Sequence, residues 1–149
     1  KLIIDSTIVF PHPLIKTQRK VFDFSCLNFI SDIARARTFG MLKDVDMLKR
    51  KGLIKGGSLD NAVVLDDFKV VNQDGLRFKD EFIRHKILDT IGDISLLGHE
   101  IAGKITTYKS GHNLCNLLFQ KHLNLNQFLF FSFQSSLHIL DYQELYSLQ

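Results

Sequence analysis

The chain has 149 residues, 45% of them hydrophobic and 23% charged, with a formal net charge of +3. That length suffices for one domain with a real core, and the composition is ordinary for a globular protein. So small a positive charge, with no basic cluster interleaved with aromatics, argues against a nucleic-acid partner.

The two cysteines, Cys26 and Cys115, lie far apart and outside any CxxC pattern. A disulfide framework is therefore not expected, and a cytoplasmic setting fits. No charged-then-apolar leader opens the chain. Its first residue is Lys rather than Met, which suggests a fragment or a processed product. The longest uncharged run, Leu123 to Leu140, is interrupted by Asn124, Asn126, Gln127, Ser132, Gln134, Ser135, Ser136 and His138. A bilayer span needs about twenty predominantly apolar residues, so no transmembrane segment is expected.

In chain order, Ile3 to Phe10 is rich in β-branched residues and reads as a strand ended by Pro11-His12-Pro13. Val21 to Phe24 reads as a second strand. Ser25 is a suitable N-cap for a helix to about Arg35. Met41 to Arg50 carries apolar residues at 41, 42, 45 and 48, a helical spacing, with Gly52 as the stop. Ala62 to Leu65 and Lys69 to Val71 read as strands, and Asn72-Gln73-Asp74-Gly75 as a turn. Asp80 is placed to cap a long helix ending near Gly98. Ile101 to Tyr108 reads as a strand, and His112 opens a last helix to about Leu123. There is no internal repeat and no regular βαβα rhythm, so the expected class is α+β, with sheet and helices in layers.

The chemistry concentrates in Arg84-His85-Lys86-Ile87-Leu88-Asp89-Thr90-Ile91-Gly92-Asp93 and in Ser110-Gly111-His112. His85 and Asp89 are four apart, so imidazole and carboxylate share a helical face, and Asp93 lies one turn further on. The ordinary explanation of such spacing is an exposed ion pair. Against it stands the stripe Phe82, Ile83, Ile87, Leu88, Ile91, Ile94 and Leu97, which buries much of this helix. Ionisable groups beside such a face need a partner or a metal. His99-Glu100 has no His four residues later and is not a zincin motif.

Five segments occur in order: Ala34-Arg35-Ala36-Arg37-Thr38-Phe39-Gly40, the run from Gly52 to Ala62, Leu76 to Phe82, the His-Lys-Ile-Leu-Asp run and Ser110-Gly111-His112. Together they resemble the zinc-dependent UDP-3-O-acyl-N-acetylglucosamine deacetylases of lipid A biosynthesis. The likeness runs from about Ile4 to about Leu118 and covers only that family's C-terminal domain. It implies a two-layer sheet-and-helix sandwich, the C-terminal half of a two-domain enzyme. The domain would span 1–123, with an acyl-passage insert at 41–66 and a divergent tail at 124–149.

The resemblance further implies Zn2+ as cofactor, with His85 and Asp89 as two of three metal ligands. The third, a His, would come from an N-terminal domain beside a Glu acting as general base. Neither of those motifs is present here. His12, His99, His122 and His138 are not in matching contexts. Asp93 and His112 would be an orienting carboxylate and a cationic general acid, since a nearby carboxylate favours the proton-donating imidazolium. Thr38 would donate a hydrogen bond to the carbonyl oxygen as negative charge develops. Lys86 would meet the nucleotide diphosphate. Leu42, Val45, Ile54, Ser58, Ala62 and Val64 match the lining of the acyl-chain passage, and Phe39 and Met41 its mouth. Core packing accounts for the apolar ones equally well. Met41 stands where the family usually has an aromatic, and Cys115 where it usually has Asn. The expected partners are the nucleotide-sugar substrate and the absent domain, in a monomer, and the partial chain alone is expected to be inactive. Two alternatives stand beside this one: a non-catalytic remnant that keeps the fold, and a nucleotide-sugar or acyl-chain binding module.

Overall fold

The computed structural model describes residues 1–50, 58–98, 100–112 and 136–139. Strand β1 (Leu2–Phe10) turns through residues 11–15 into β2 (Lys16–Asp23). A single helical turn, α1 (Cys26–Asn28), runs on as a π-helix over Phe29–Ile33. Then follow β3 (Thr38–Met41), α2 (Leu42–Arg50), β4 (Ala62–Leu65), α3 (Glu81–Ser95), β5 (Gly103–Tyr108) and β6 (Ser136–Ile139). One sheet has the order β2-β1-β5-β6, antiparallel between β1 and β2 and parallel from β1 to β6. A second sheet holds only β3 and β4, in parallel. Helices and strands are thus mixed over two separate sheets, the larger with both parallel and antiparallel pairs, consistent with an α+β chain.

The central strand β1 alternates, and its helix-side residues Ile4 and Ile8 are fully buried. Ile4 packs with Phe22, Ile33 and Ile87. Ile8 packs with Ile15, Val63, Leu65, Phe82 and Ile83. Each such side chain contributes about 1.5–3 kcal/mol by leaving water. The two clusters fasten α3 along one face of the large sheet and hold the small sheet beside it. Ser6 lies between Ile4 and Ile8 on that face, where its hydroxyl accepts from Thr107 across the strand pair at 2.8 Å.

Several boundaries differ from the sequence expectation, each for a physical reason. Strand β2 begins five residues before Val21. It is an edge strand whose Lys16, Thr17 and Arg19 are exposed, so its first half carries no apolar alternation. Ser25 does cap its helix, accepting from the Asn28 N–H at 3.1 Å. The regular helix does not reach Arg35, because Ala34 N–H bonds to Phe29 across a wider turn and Arg37 is drawn to Glu81. Lys69–Val71 forms no strand, only one bridge between Leu65 and Val70. The Asp66 carboxylate takes the N–H groups of Phe68 and Lys69 and tightens the chain into a turn. Gly75 closes the next turn onto Asn72 with φ +64, a left-handed value suited to glycine. Asp80 occupies the N-cap position of α3 without capping it, since its carboxylate is bound by Lys20 at 2.9 Å and Arg84 at 2.5 Å. Helix α3 ends at Ser95, and β5 begins at Gly103 rather than Ile101. The expected helix from His112 to Leu123 lies outside the described residues beyond His112, as do Gly52, Ile54 and most of the 124–149 tail. Among the described residues no helix is long and apolar enough to cross a membrane.

Candidate metal and proton-transfer site

Helix α3 carries a second, polar stripe beside its apolar one. Glu81, His85, Asp89 and Asp93 follow each other at intervals of four and stack along one face. Glu81 and Asp93 are buried, and His85 and Asp89 are 15% and 17% exposed at the side chain. A stripe of ionisable groups this poorly hydrated persists only with partners.

His85 Nδ1 lies 3.3 Å from the carbonyl oxygen of Ala36. A carbonyl oxygen only accepts, so Nδ1 carries the proton and Nε2 is left facing outward. That Nε2 lies 3.2 Å from Oδ1 of Asp89. Burial alone would raise the Asp89 carboxyl. Hydrogen bonds from His85 and Lys86 and the Lys86 charge outweigh it and bring the carboxyl down to about 2. An ionised carboxylate therefore converges with an imidazole nitrogen whose partner nitrogen is already protonated. Two such atoms attract only with a cation between or beside them, a proton or a metal.

Oδ2 of Asp89 takes Lys86 Nζ at 2.9 Å. His112 approaches from the turn after β5. Its Nδ1 donates to the Asp93 carboxylate at 2.9 and 3.1 Å, and its Nε2 stands 3.7 Å from Asp89 Oδ1. The His112 side chain is 59% exposed, so the cluster opens to solvent on its side. The preceding residue pattern helps to aim it: Lys109 has φ 49, and its N–H is held by the Thr7 carbonyl at 2.9 Å.

The donor set fits zinc. With bonds of about 2.0–2.1 Å, two ligands of one tetrahedral ion lie roughly 3.3 Å apart, close to the 3.2 Å between His85 and Asp89. The Ala36 carbonyl on Nδ1 is the kind of outer partner that metal-binding histidines keep. Among the described residues no group of three His, Cys, Asp or Glu is arranged to hold one ion. His12 lies apart from this cluster, a buried imidazole bonded to the Asp66 carbonyl at 2.7 Å.

The small sheet sorts the remaining candidates. Directly paired residues point the same way, and Phe39 pairs with Val63 and Met41 with Leu65. Val63 and Leu65 are fully buried, so Phe39 and Met41 face the core. Phe39 stacks edge-on to Phe10, Phe82 and, at 6.3 Å, to the ring of His85. Thr38, Gly40, Ala62 and Val64 share the opposite, less buried face. Leu42 and Ser58 are exposed and Val45 is half-buried. Lys86 and Lys109 both line a cavity of about 220 Å³ with Ile8, Val9, Phe10 and Ser110. Arg37, Glu81 and Lys109 are brought to the site as well. Glu81 had a usable signal, since it stands four before His85 in the same stripe. Lys109 had none, because only the end of β5 brings it to Lys86.

Comparison with known proteins supplies the context for this geometry. The profile of the family described as UDP-3-O-acyl N-acetylglycosamine deacetylase, LpxC, matches residues 1–124. The chain is 53% identical over 114 residues to the UDP-3-O-acyl-N-acetylglucosamine deacetylase of Thioalkalivibrio sulfidiphilus, covering 75% of this chain and 38% of that one. It is 51% identical over 134 residues to the deacetylase of Histophilus somni, covering 88% and 44%. To that of Campylobacter hominis it is 58% identical over 110 residues, covering 74% and 37%. The chain thus spans about two fifths of the length of these relatives.

Proposed function

Because the chain belongs to the UDP-3-O-acyl N-acetylglycosamine deacetylase family, we propose that it forms the C-terminal part of a zinc-dependent amide hydrolase. The substrate is UDP-3-O-acyl-N-acetylglucosamine, and the reaction removes its N-acetyl group in lipid A biosynthesis. The observation that carries this reading is the convergence of His85 Nε2 on an ionised Asp89 at 3.2 Å. His85 and Asp89 hold the metal, and the third ligand and the general base come from sequence outside this chain. Zinc, when bound, supplies Lewis-acid polarisation and a nucleophilic water at neutral pH.

The other residues bind, orient and move protons. Asp93 holds the Nδ1–H of His112, so Nε2 is the atom that delivers a proton to the departing amine nitrogen. Thr38 donates its hydroxyl to the carbonyl oxygen as charge develops there. Lys86 and Lys109, which share a cavity, offer cations to the diphosphate. Ala62 and Val64, on the open face of the small sheet with Thr38, meet the acyl chain together with Leu42, Val45, Ile54 and Ser58. Phe39 and Met41 support that wall from its core side. The acyl-passage insert at 41–66 takes in α2 and β4. The reaction belongs in the cytoplasm, where nucleotide sugars are made.

Zinc content tests the reading. In the full-length protein, His85→Ala and Asp89→Ala should each lose most bound zinc and all but residual activity. Wild-type zinc loading in both variants would overturn the ligand assignment. A second reading, a non-catalytic domain that keeps the fold, draws on the lack of a three-ligand group among the described residues. Turnover of the acetylated nucleotide sugar by the full-length protein would exclude it.

A further inference from the structure

One turn before His85 on the polar stripe, the Glu81 side chain is 0% exposed. Its two oxygens accept four hydrogen bonds. Three come from Arg37: Nε at 3.0 Å, Nη2 at 3.2 Å and its backbone N–H at 3.0 Å. The fourth comes from the backbone N–H of Arg77 at 2.6 Å. The Arg37 fork is completed by Asp74 at 3.0 Å and the Gly75 carbonyl at 2.7 Å. A buried ion pair of this kind is weak evidence for stability, because desolvation offsets most of its Coulomb gain. What the pair does locally is more specific. The N–H of Arg37 and the carbonyl of Ala36 belong to one planar peptide unit. Glu81 grips that unit by its N–H, and its carbonyl receives the Nδ1–H of His85.

We propose that Arg37 and Glu81 are positioning residues for His85: through the Ala36–Arg37 peptide they hold the imidazole Nδ1 on the Ala36 carbonyl and so set where Nε2 points. The inference rests on the zinc-ligand reading of His85 for its purpose, though not for its geometry. The next residue, Thr38, inherits the same anchorage at the start of β3. The arrangement is a double tie between one peptide and two successive turns of α3. It keeps Nε2 aimed at Asp89 before any ligand arrives. Without it the ring is free to turn away from Asp89, and its orientation must then be fixed at the cost of metal affinity.

The test uses the full-length protein, metal-free and labelled with nitrogen-15 histidine, near neutral pH and at low temperature. His85 is assigned by the loss of its resonances in His85→Ala. In wild type its Nδ1 proton, held by the Ala36 carbonyl, should exchange slowly with water. In Arg37→Lys and Glu81→Gln it should exchange markedly faster. Zinc affinity by chelator competition should fall roughly 10–100-fold, the usual cost of losing an outer partner of a ligand. Asp5→Asn, on the opposite face of the sheet, serves as the control for general destabilisation and should leave both readouts unchanged. An Nδ1 proton as well protected as in wild type, together with affinity within about twofold of wild type, in either folded variant, would overturn the proposal. So would an equal change in Asp5→Asn, or failure of both Arg37→Lys and Glu81→Gln to fold. Undiminished zinc affinity in His85→Ala would instead sink the ligand reading, and protection of the Nδ1 proton alone would then decide the positioning role.

Discussion

At the scale of single residues, His112 is defined by what each of its nitrogens faces. Nδ1 is committed to Asp93, and Nε2 looks toward the open side of the cluster. In the full-length protein, His112→Ala should therefore leave zinc content intact and lower kcat by roughly 10²–10⁴, the usual worth of a general acid. Steady-state kinetics beside metal analysis separate the two effects, and loss of zinc in this variant would move His112 among the ligands. Glu81 makes a different kind of prediction. Burial alone would raise its carboxyl. Hydrogen bonds from the Arg37 side chain and from the Arg37 and Arg77 backbones, with the Arg37 charge, outweigh that and hold it below its ordinary value. A group depressed in the folded state stabilises at pH above its unfolded value, and that contribution disappears as pH falls through the folded one. Glu81→Gln should thus be less stable at neutral pH by about 3–5 kcal/mol, as for breaking a buried pair. The gap to wild type should narrow below about pH 4. Denaturant titrations at several pH values would reveal it, and a gap independent of pH would show that the charge is not what matters.

At the scale of elements, α3 is two helices in one. Its apolar stripe of Phe82, Ile83, Ile87 and Ile94 fixes its height and rotation on the sheet. Its polar stripe is thereby presented as a rigid row. The segment after β4 is organised differently, by one buried amide. Asn72 accepts from Val64 N–H at 2.8 Å and donates to the carbonyls of Leu59 and Ala62 at 2.7 and 2.8 Å. It satisfies backbone groups that a neighbouring strand would otherwise pair. Asn72→Ala should cost at least the roughly 1–3 kcal/mol of one stranded buried group. Because Val64 shares the open face of the small sheet with Ala62 and Thr38, the same change should raise KM more than it lowers kcat. Parallel melting and kinetic measurements would check this, and an unaltered melting midpoint would show the amide to be dispensable.

At the scale of the whole molecule, the cluster opens to solvent on the His112 side, where the polar stripe of α3 meets the turn after β5. The chain spans about two fifths of its relatives' length. The 149-residue chain alone should hold zinc more weakly than the full-length protein, since two ligands bind an ion poorly and three with a water make a proper tetrahedral site. It should also hydrolyse no acetamide at a measurable rate. Metal titration and an acetate-release assay on both proteins would test this. Zinc-dependent turnover by the short chain would show that no group outside it is required.

The sequence by itself determined the elements whose pattern is local. Ile3 to Phe10, Ala62 to Leu65 and the amphipathic run of α3 carry their own periodicity, and the His85–Asp89 spacing places both side chains on one helical face in any context. The Ser25 cap and the turn closed by Gly75 were legible for the same reason, being chemistry between residues a few positions apart. What only the tertiary structure decided depends on partners distant in the chain. Strand β2 was half hidden, because an edge strand needs no buried alternation. Lys69–Val71 was misread, because the Asp66 carboxylate captured its backbone. Asp80 was credited with a cap that Lys20 and Arg84 prevent. The pairing of Arg37 with Glu81 spans 44 residues, and that of Asp93 with His112 spans 19. Periodicity records which face of its own element a residue occupies. It holds no record of which other element that face meets, and here that meeting aims the two imidazoles.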